Sequence, residues 1–250
     1  RIRQRISSVF DWDISKKLYD KFSPAVWKGI LQYQLPDPAK LKKNANNGKL
    51  RREPMVPLMR ICEFYSELNH RKGMAAKALR FMTLTGCRSG QARFAKWHEF
   101  DLVQEVWTIR QGREQAKLKT RDHHVALTSS ALMLLKALPQ GDENDWVFPN
   151  ERNRPLSDTA VAKVMKTVHK NAKQPFLCPS ERREAVPHGL RSTLTTWFGE
   201  KGIEAELLKF QLSHNMPDTI FKHYLRADLV ERRREVLQSW DDFLTGLRND

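Results

Sequence analysis

Leu212-Ser213-His214-Asn215-Met216-Pro217-Asp218-Thr219-Ile220-Phe221-Lys222-His223-Tyr224-Leu225-Arg226 is the stretch on which fold and chemistry both turn. It carries Tyr224, one of only four tyrosines, with His214 ten residues ahead of it. Upstream lies Pro187-His188-Gly189-Leu190-Arg191, and far upstream Thr85-Gly86-Cys87-Arg88. In chain order these pieces supply two guanidiniums, two imidazoles and a phenol. Such a set can attack a phosphodiester without a metal, because arginine forks bind phosphate oxygens and a neighbouring base activates a phenol.

Taken singly, each piece also has a plain structural reading. HxxR recurs by chance. Arg88 after Thr-Gly reads as a solvated arginine past a helix stop, and His214 as a helix cap. Tyr224, with Ile220 and Phe221 on its helical face, reads as a core tyrosine. Two features strengthen the second piece. Pro187 suits a first helical turn, and residues three apart share a helix face, so His188 and Arg191 can address one ligand.

Composition points the same way. The chain has 44 Lys and Arg against 29 Asp and Glu, a net charge of +15. That excess favours a polyanionic partner, since each neutralised phosphate releases condensed counterions. Cys62, Cys87 and Cys178 are odd in number and widely spaced. Their pattern speaks against a disulfide framework or a structural zinc and fits a reducing cytoplasm. No segment reads as a membrane span or signal peptide. Asp122-His123-His124 is a weak metal candidate, because adjacent side chains of a strand face opposite ways. Cys87 reads as a packed thiol. No metal and no cofactor is expected.

The chain starts at Arg1 rather than Met, which predicts a preceding portion. Residues 1–34 read as the end of a helical domain, through Ile6, Val9, Phe10, Ile14 and Leu18 and then Val26, Trp27, Ile30 and Leu31. Residues 35–54 hold Pro36, Pro38 and Pro54 around Lys40, Lys42, Lys43, Lys49, Arg51 and Arg52, which predicts an exposed basic linker. Residues 55–250 read as one domain, mainly α with a small antiparallel β-sheet. Its helices are expected at about 55–70, 73–84, 130–138, 157–171, 188–201, 203–212 and 228–247, with short ones after Arg88 and around Tyr224. Strands are expected at about 100–110 and 122–128. The last helix is amphipathic through Leu229, Val236, Leu237, Trp240, Phe243, Leu244 and Leu247. Its apolar stripe is expected to dock on a neighbouring protomer.

The order Arg88, Lys119, His188, Arg191, His214, Tyr224 resembles that of the tyrosine recombinase family, and within it the integrases of phages, prophages and genomic islands. The resemblance covers about residues 55–250. Leu-Thr-Gly-Cys-Arg88 is similar to the family's first arginine box and His188-Gly-Leu-Arg191-Ser-Thr to its second. Leu-Ser-His214 with Tyr224-Leu-Arg is similar to the nucleophile box. Glu231-Arg232-Arg233-Arg234 and Trp240 resemble the tail of prophage integrases. Two positions depart from the pattern: Gln91 stands where an acidic residue is usual, and Ser213 where glycine is common.

The resemblance implies site-specific recombination of double-stranded DNA at attachment sites, integrating and excising a mobile element in a bacterial, nucleoid-associated setting. Tyr224 would form a 3′-phosphotyrosine, with neither metal nor ATP. Arg88 and Arg191 would clamp the nonbridging oxygens, His188 would take the phenol's proton, and His214 would donate to an oxygen. Lys119, with Lys117 as its rival, would protonate the leaving 5′ oxygen. A homo-tetramer on DNA is implied, as are accessory DNA-bending and directionality proteins. The departures at Gln91 and Ser213 motivate an alternative, a catalytically decayed DNA-binding protein. A type IB topoisomerase-like relaxing enzyme shares the chemistry.

Overall fold

The structure, a computed structural model, describes residues 2–36, 53–112, 122–213 and 229–247. The chain divides into two compact units, Arg1–Arg52 and Glu53–Asp250. In the first, α1 (Ile2–Ser15) buries none of its residues. Ile2, Val9 and Trp12 stand exposed along it. Leu18, expected on this helix, follows it in a turn where Lys17 takes a φ of 58°. The second expected piece forms as Trp27–Leu31 and Gln32–Gln34, interrupted by extended Lys28 and by Gly29 at φ 83°. The basic residues from Lys40 to Arg52 lie outside the described residues.

The second unit is mainly helical with one small sheet. Its helices are α2 (Ile61–Asn69), α3 (Met74–Thr85), α4 (Ser89–Arg93), α5 (Ser129–Lys136), α6 (Asp158–Asn171), α7 (Gly189–Glu200), α8 (Ala205–Gln211) and α9 (Val230–Thr245). Each expected helix is present, apart from the short one around Tyr224, which falls outside the described residues. The starts of α5 and α6 follow from their caps. Thr128 Oγ1 accepts from Ala131 N–H, and Ser157 Oγ from Ala160 N–H.

α3 is the hub. Ala76, Ala78, Leu79, Phe81, Met82 and Leu84 are all buried, so the helix is apolar nearly all round. It packs on α2, α4, α5, α6, α7 and α9. Gly86 ends it in the left-handed region, φ 65°, with its N–H on Met82 O. A Cβ there would also meet Leu194 Cδ2 of α7 at 2.4 Å. Glycine thus both stops α3 and lets α7 approach.

The sheet runs in the order β1 (Phe100–Asp101), β2 (Val106–Ile109), β3 (His123–Ala126), all antiparallel. Phe100 pairs with Trp107, Val106 with Ala126 and Ile109 with His123. Phe100 and Trp107 stack at 5.3 Å, and Trp107 Nε1 donates to Glu99 Oε2 at 2.9 Å.

The centre of the α9 stripe is covered within its own unit, while Val236 and Phe243 stay half-buried. Leu237, Trp240 and Leu244 are buried within their own unit. Trp240 lies 5.3 Å from the Trp197 ring and donates Nε1 to Thr83 O at 2.9 Å. The reason is that α2, α3 and β3 leave a groove that α9 fills. Of the stripe, Leu247 is left exposed.

Candidate active site

Three backbone constraints position the motif residues. The first is the turn after α3. Arg88 is the N-cap of α4, and its N–H is accepted by Gln91 Oε1 at 2.7 Å. Gln91 is buried. An acidic side chain would offer the same kind of acceptor, so the Gln91 departure retains this bond and the start of α4.

The second constraint lies at the start of α7. Pro54–Val56 runs against its first turn. Val186 N–H donates to Pro54 O at 3.0 Å, and Thr193 Oγ1 to Val56 O at 2.9 Å. A Cβ on Gly189 would come within 1.8 Å of Pro54 O. The glycine of His-Gly-Leu-Arg is therefore clearance for a crossing strand of backbone. Behind it, His169 of α6 receives Phe176 N–H on Nδ1 at 3.1 Å, which leaves Nε2 to donate to Ala185 O at 2.8 Å. Both arms of the segment before Pro187 hang from that ring.

The third constraint is the end of α8. Ser213 takes a φ of 49°, in the left-handed region. Its carbonyl accepts from Arg88 Nη2 at 3.2 Å, and Leu212 O accepts from Arg191 Nη2 at 2.8 Å. Arg191 Nη1 also donates to Gly86 O. The two motif arginines thus pin the backbone immediately before His214.

Electrostatics sharpen the picture. Burial, together with the adjoining Arg88 charge, pushes the Arg191 guanidinium down to about 10. Burial also lowers Arg88 from its ordinary value. Arg88 Nη1 is buried and has no hydrogen-bond partner among the described residues. Two crowded cations, one with an orphaned donor, call for an anion.

Arg88 borders a cleft of about 600 Å³ that is also lined by Glu53, Ser89, Arg93, Asp158 and His188. His188 is exposed beside it, whereas Arg191 is only 7% exposed and faces the Gly86 and Leu212 carbonyls. The shared face expected for His188 and Arg191 is thus split: His188 stands exposed at the N-cap position of α7, while Arg191 falls with Leu194 and Phe198 on its buried side. Lys119, Lys117, His214 and Tyr224 lie outside the described residues.

Several residues of the cleft carry no motif and were missed in the sequence. Arg93 donates Nη1 to Leu156 O at 2.7 Å and Nε to Ser89 Oγ at 3.0 Å. Ser89 in turn donates to Asp158 Oδ1 at 2.7 Å. An available signal was Asp158 itself, an acid placed directly behind the Ser157 cap. Cys87 is buried beside Arg88, as a packed thiol should be. His123 is buried and His124 half-buried on β3. Among the described residues no group of three or more His, Cys, Asp or Glu could hold a metal ion. Among them, too, no helix is long and apolar enough to cross a membrane.

The sequence profile of the phage integrase family matches residues 49–230. The integrase of Enterobacteria phage P4 is 26% identical over 263 aligned residues, covering all of this chain and 55% of that protein. Prophage integrase IntA of Escherichia coli strain K12 is 28% identical over 164 residues, 64% of this chain and 36% of that protein. The chain thus spans about half the length or less of these curated relatives. Among solved structures, an integrase from mycobacterium phage Brujita superposes with a TM-score of 0.55 at 16% identity, over 99% of this chain and 72% of that one. A lambda integrase dimer bound to a COC′ core site gives a TM-score of 0.51 at 16% identity, over 88% of this chain and 72% of that one. Fold, motif order and a profile match over most of its length agree: the chain belongs to the phage integrase family of tyrosine recombinases.

Proposed function

We propose that this chain cuts and rejoins double-stranded DNA at attachment sites, integrating and excising a mobile element. The observation that carries the reading is Arg88: its Nη1 is buried and unpartnered among the described residues, and the residue borders a cleft that His188 also lines. A scissile phosphate supplies the missing acceptor. Arg88 and Arg191 then hold the nonbridging oxygens, where negative charge accumulates during phosphoryl transfer.

The reaction follows from the residue types. His188 takes the proton of the Tyr224 phenol, whose ordinary pKa of about 10 makes it a poor nucleophile near neutrality. The phenolate oxygen attacks phosphorus and the bond to the 5′ oxygen breaks. Lys119 gives a proton to that oxygen, and His214 donates to a nonbridging oxygen. A 3′-phosphotyrosine and a 5′ hydroxyl result. Attack by a partner strand's hydroxyl reverses the step, so the bond energy is conserved without ATP. Strand exchange between two duplexes requires four protomers, assisted by DNA-bending and directionality proteins. Gln91 favours a live enzyme over a decayed one, because it supplies the acceptor that starts α4 at Arg88.

A suicide duplex nicked beside the cleavage point tests the proposal. Wild-type protein should become covalently trapped on end-labelled DNA in denaturing gels. Tyr224→Phe should bind the same duplex and give no adduct. Trapping of the phenylalanine variant would place the nucleophile elsewhere, and failure of the wild type to trap would leave a DNA-binding protein.

A further inference from the structure

Arg233, in the first turns of α9, is 1% exposed. Its Nη1 donates to His124 O at 2.8 Å and to Gln211 Oε1 at 3.2 Å. Gln211, equally buried, passes the link on by donating Nε2 to Thr85 O at 2.7 Å. One guanidinium therefore ties together β3, the end of α8 and the end of α3.

Each tied segment leads within a few residues to a group of the proposed reaction. Thr85 stands three residues before Arg88, and Gln211 three before His214. β3 is entered from the connection that carries Lys119, four residues before His123. Arg233 itself follows Tyr224 by nine residues. The next residue extends the clasp: Arg234 donates to Gln104 O and Glu105 O at 3.0 Å, holding the turn between β1 and β2.

Stability does not explain this arginine. Positions 233, 237, 240, 241 and 244 form one buried stripe on α9, apolar at Leu237, Trp240 and Leu244 and acidic at Asp241. An apolar residue would complete it, whereas a guanidinium there must be stripped of water and is the more costly choice. What the arginine adds is fixed geometry, since its rigid fork can hold separate acceptors at set positions.

We infer that Arg233 is a positioning residue which, through Gln211 and the His124 carbonyl, sets the β3 segment leading from Lys119 against the segments of Arg88 and His214. The inference rests on the proposed recombinase reading. A variant that slackens the link should behave as a misplaced general acid, not as an unfolded protein.

The test uses the full chain with Arg233→Met, Arg233→Lys and Gln211→Met. Each is given nicked duplexes of the attachment site, recovered from the element's own junctions, with oxygen or sulfur at the bridging 5′ position. Arg233→Met should slow single-turnover cleavage of the oxygen substrate by about 100-fold, the size of effect a 1 Å misplacement produces. Affinity for DNA should be unchanged. The sulfur substrate should restore most of the rate, because a thiolate leaves without a proton. Gln211→Met should share the pattern and add little to Arg233→Met in the double variant. Equal slowing on both substrates, together with a fall in melting temperature, would reduce Arg233 to a fold element.

Hydrogen exchange decides the link independently of any activity, and so separates it from failure of the recombinase reading. In Arg233→Lys, peptides covering residues 84–88, 122–127 and 208–213 should lose protection together while α5 and α6 keep theirs. Change in one of the three alone, or in none, overturns the inference even if wild-type protein forms no adduct.

Discussion

Gly189→Ala is the most direct test of how the second arginine motif is held. The new Cβ would lie 1.8 Å from Pro54 O, 2.5 Å from Pro54 C and 2.9 Å from Met55 Cα. These are backbone atoms, so no rotamer change relieves the clash. To reach ordinary contact the Pro54–Met55 segment must retreat by about 1.5 Å. Such a shift breaks the Val186 N–H bond to Pro54 O and strains the Thr193 bond to Val56 O. Stranding a buried polar group costs about 1–3 kcal/mol and overpacking a filled contact about as much again, while replacing a helical glycine by alanine returns at most about 1 kcal/mol. The net loss should be about 2–4 kcal/mol. With a urea dependence of about 1–3 kcal/mol/M, the unfolding midpoint should fall by about 1–2 M. Gly199→Ala, in the same helix, is the internal control: no atom lies within 4 Å of its Cβ. That change should raise stability by about 0.5–1 kcal/mol. Should Gly189→Ala melt with the wild type, or the two variants shift alike, the argument that this glycine provides clearance is wrong.

Other perturbations test separate parts of the structure. Ser213→Gly should be tolerated within about 1 kcal/mol and leave cleavage intact, because φ 49° suits glycine while the Ser213 carbonyl that receives Arg88 remains; a large loss of cleavage would give the hydroxyl a role of its own. Burial, reinforced by Asp241, holds the Tyr65 phenol well above its ordinary value. The unfolded chain then ionises first, above about pH 10, so stability present below that pH should fall by up to about 1.4 kcal/mol per pH unit above it. Tyr65→Phe should flatten this alkaline loss in urea melts, and an unchanged slope would contradict the assignment. Lys119→Ala should cleave ordinary DNA slowly and recover on a bridging-sulfur duplex. Recovery of Lys117→Ala, with Lys119→Ala fully active, would exchange the two lysines.

The helices were legible because their signals are local. Apolar spacing, the Gly86 stop and the Thr128 and Ser157 caps act within a turn or two of chain. The arginine motifs were legible by order alone, but their surroundings were not. Arg191 reads as a ligand-binding residue three after His188, yet its environment is set by carbonyls at Gly86 and Leu212, 105 and 21 residues away in sequence. The crossing of Pro54 over Gly189 is likewise long-range, and His-Gly-Leu-Arg shows no mark of it. The α9 stripe was legible as apolar but not as to what covers it, since amphipathicity specifies a face without its partner. Arg233 did leave a trace. It interrupts that stripe at the spacing of Leu237, Trp240 and Leu244, and a charge on a buried period marks a specific internal contact.

Arg88 and Arg191 show why this region departs from ordinary folding rules. A surface guanidinium such as Arg60 is neutralised by a carboxylate, Glu63 at 2.8 Å. Here two guanidiniums adjoin, with carbonyl oxygens as their partners among the described residues and one donor left over. Carbonyl dipoles orient the arginines without neutralising them. A carboxylate in the same place would orient them equally well and cancel the charge that a phosphate is to meet. On the proposed reading the arrangement keeps both cations fixed and unspent in the free protein, and a phosphate would meet donors already oriented and already stripped of much of their water. That preorganisation lowers the stability of the free chain and is recovered on binding, so cognate DNA should stabilise the fold by more than its contacts at the surface would suggest.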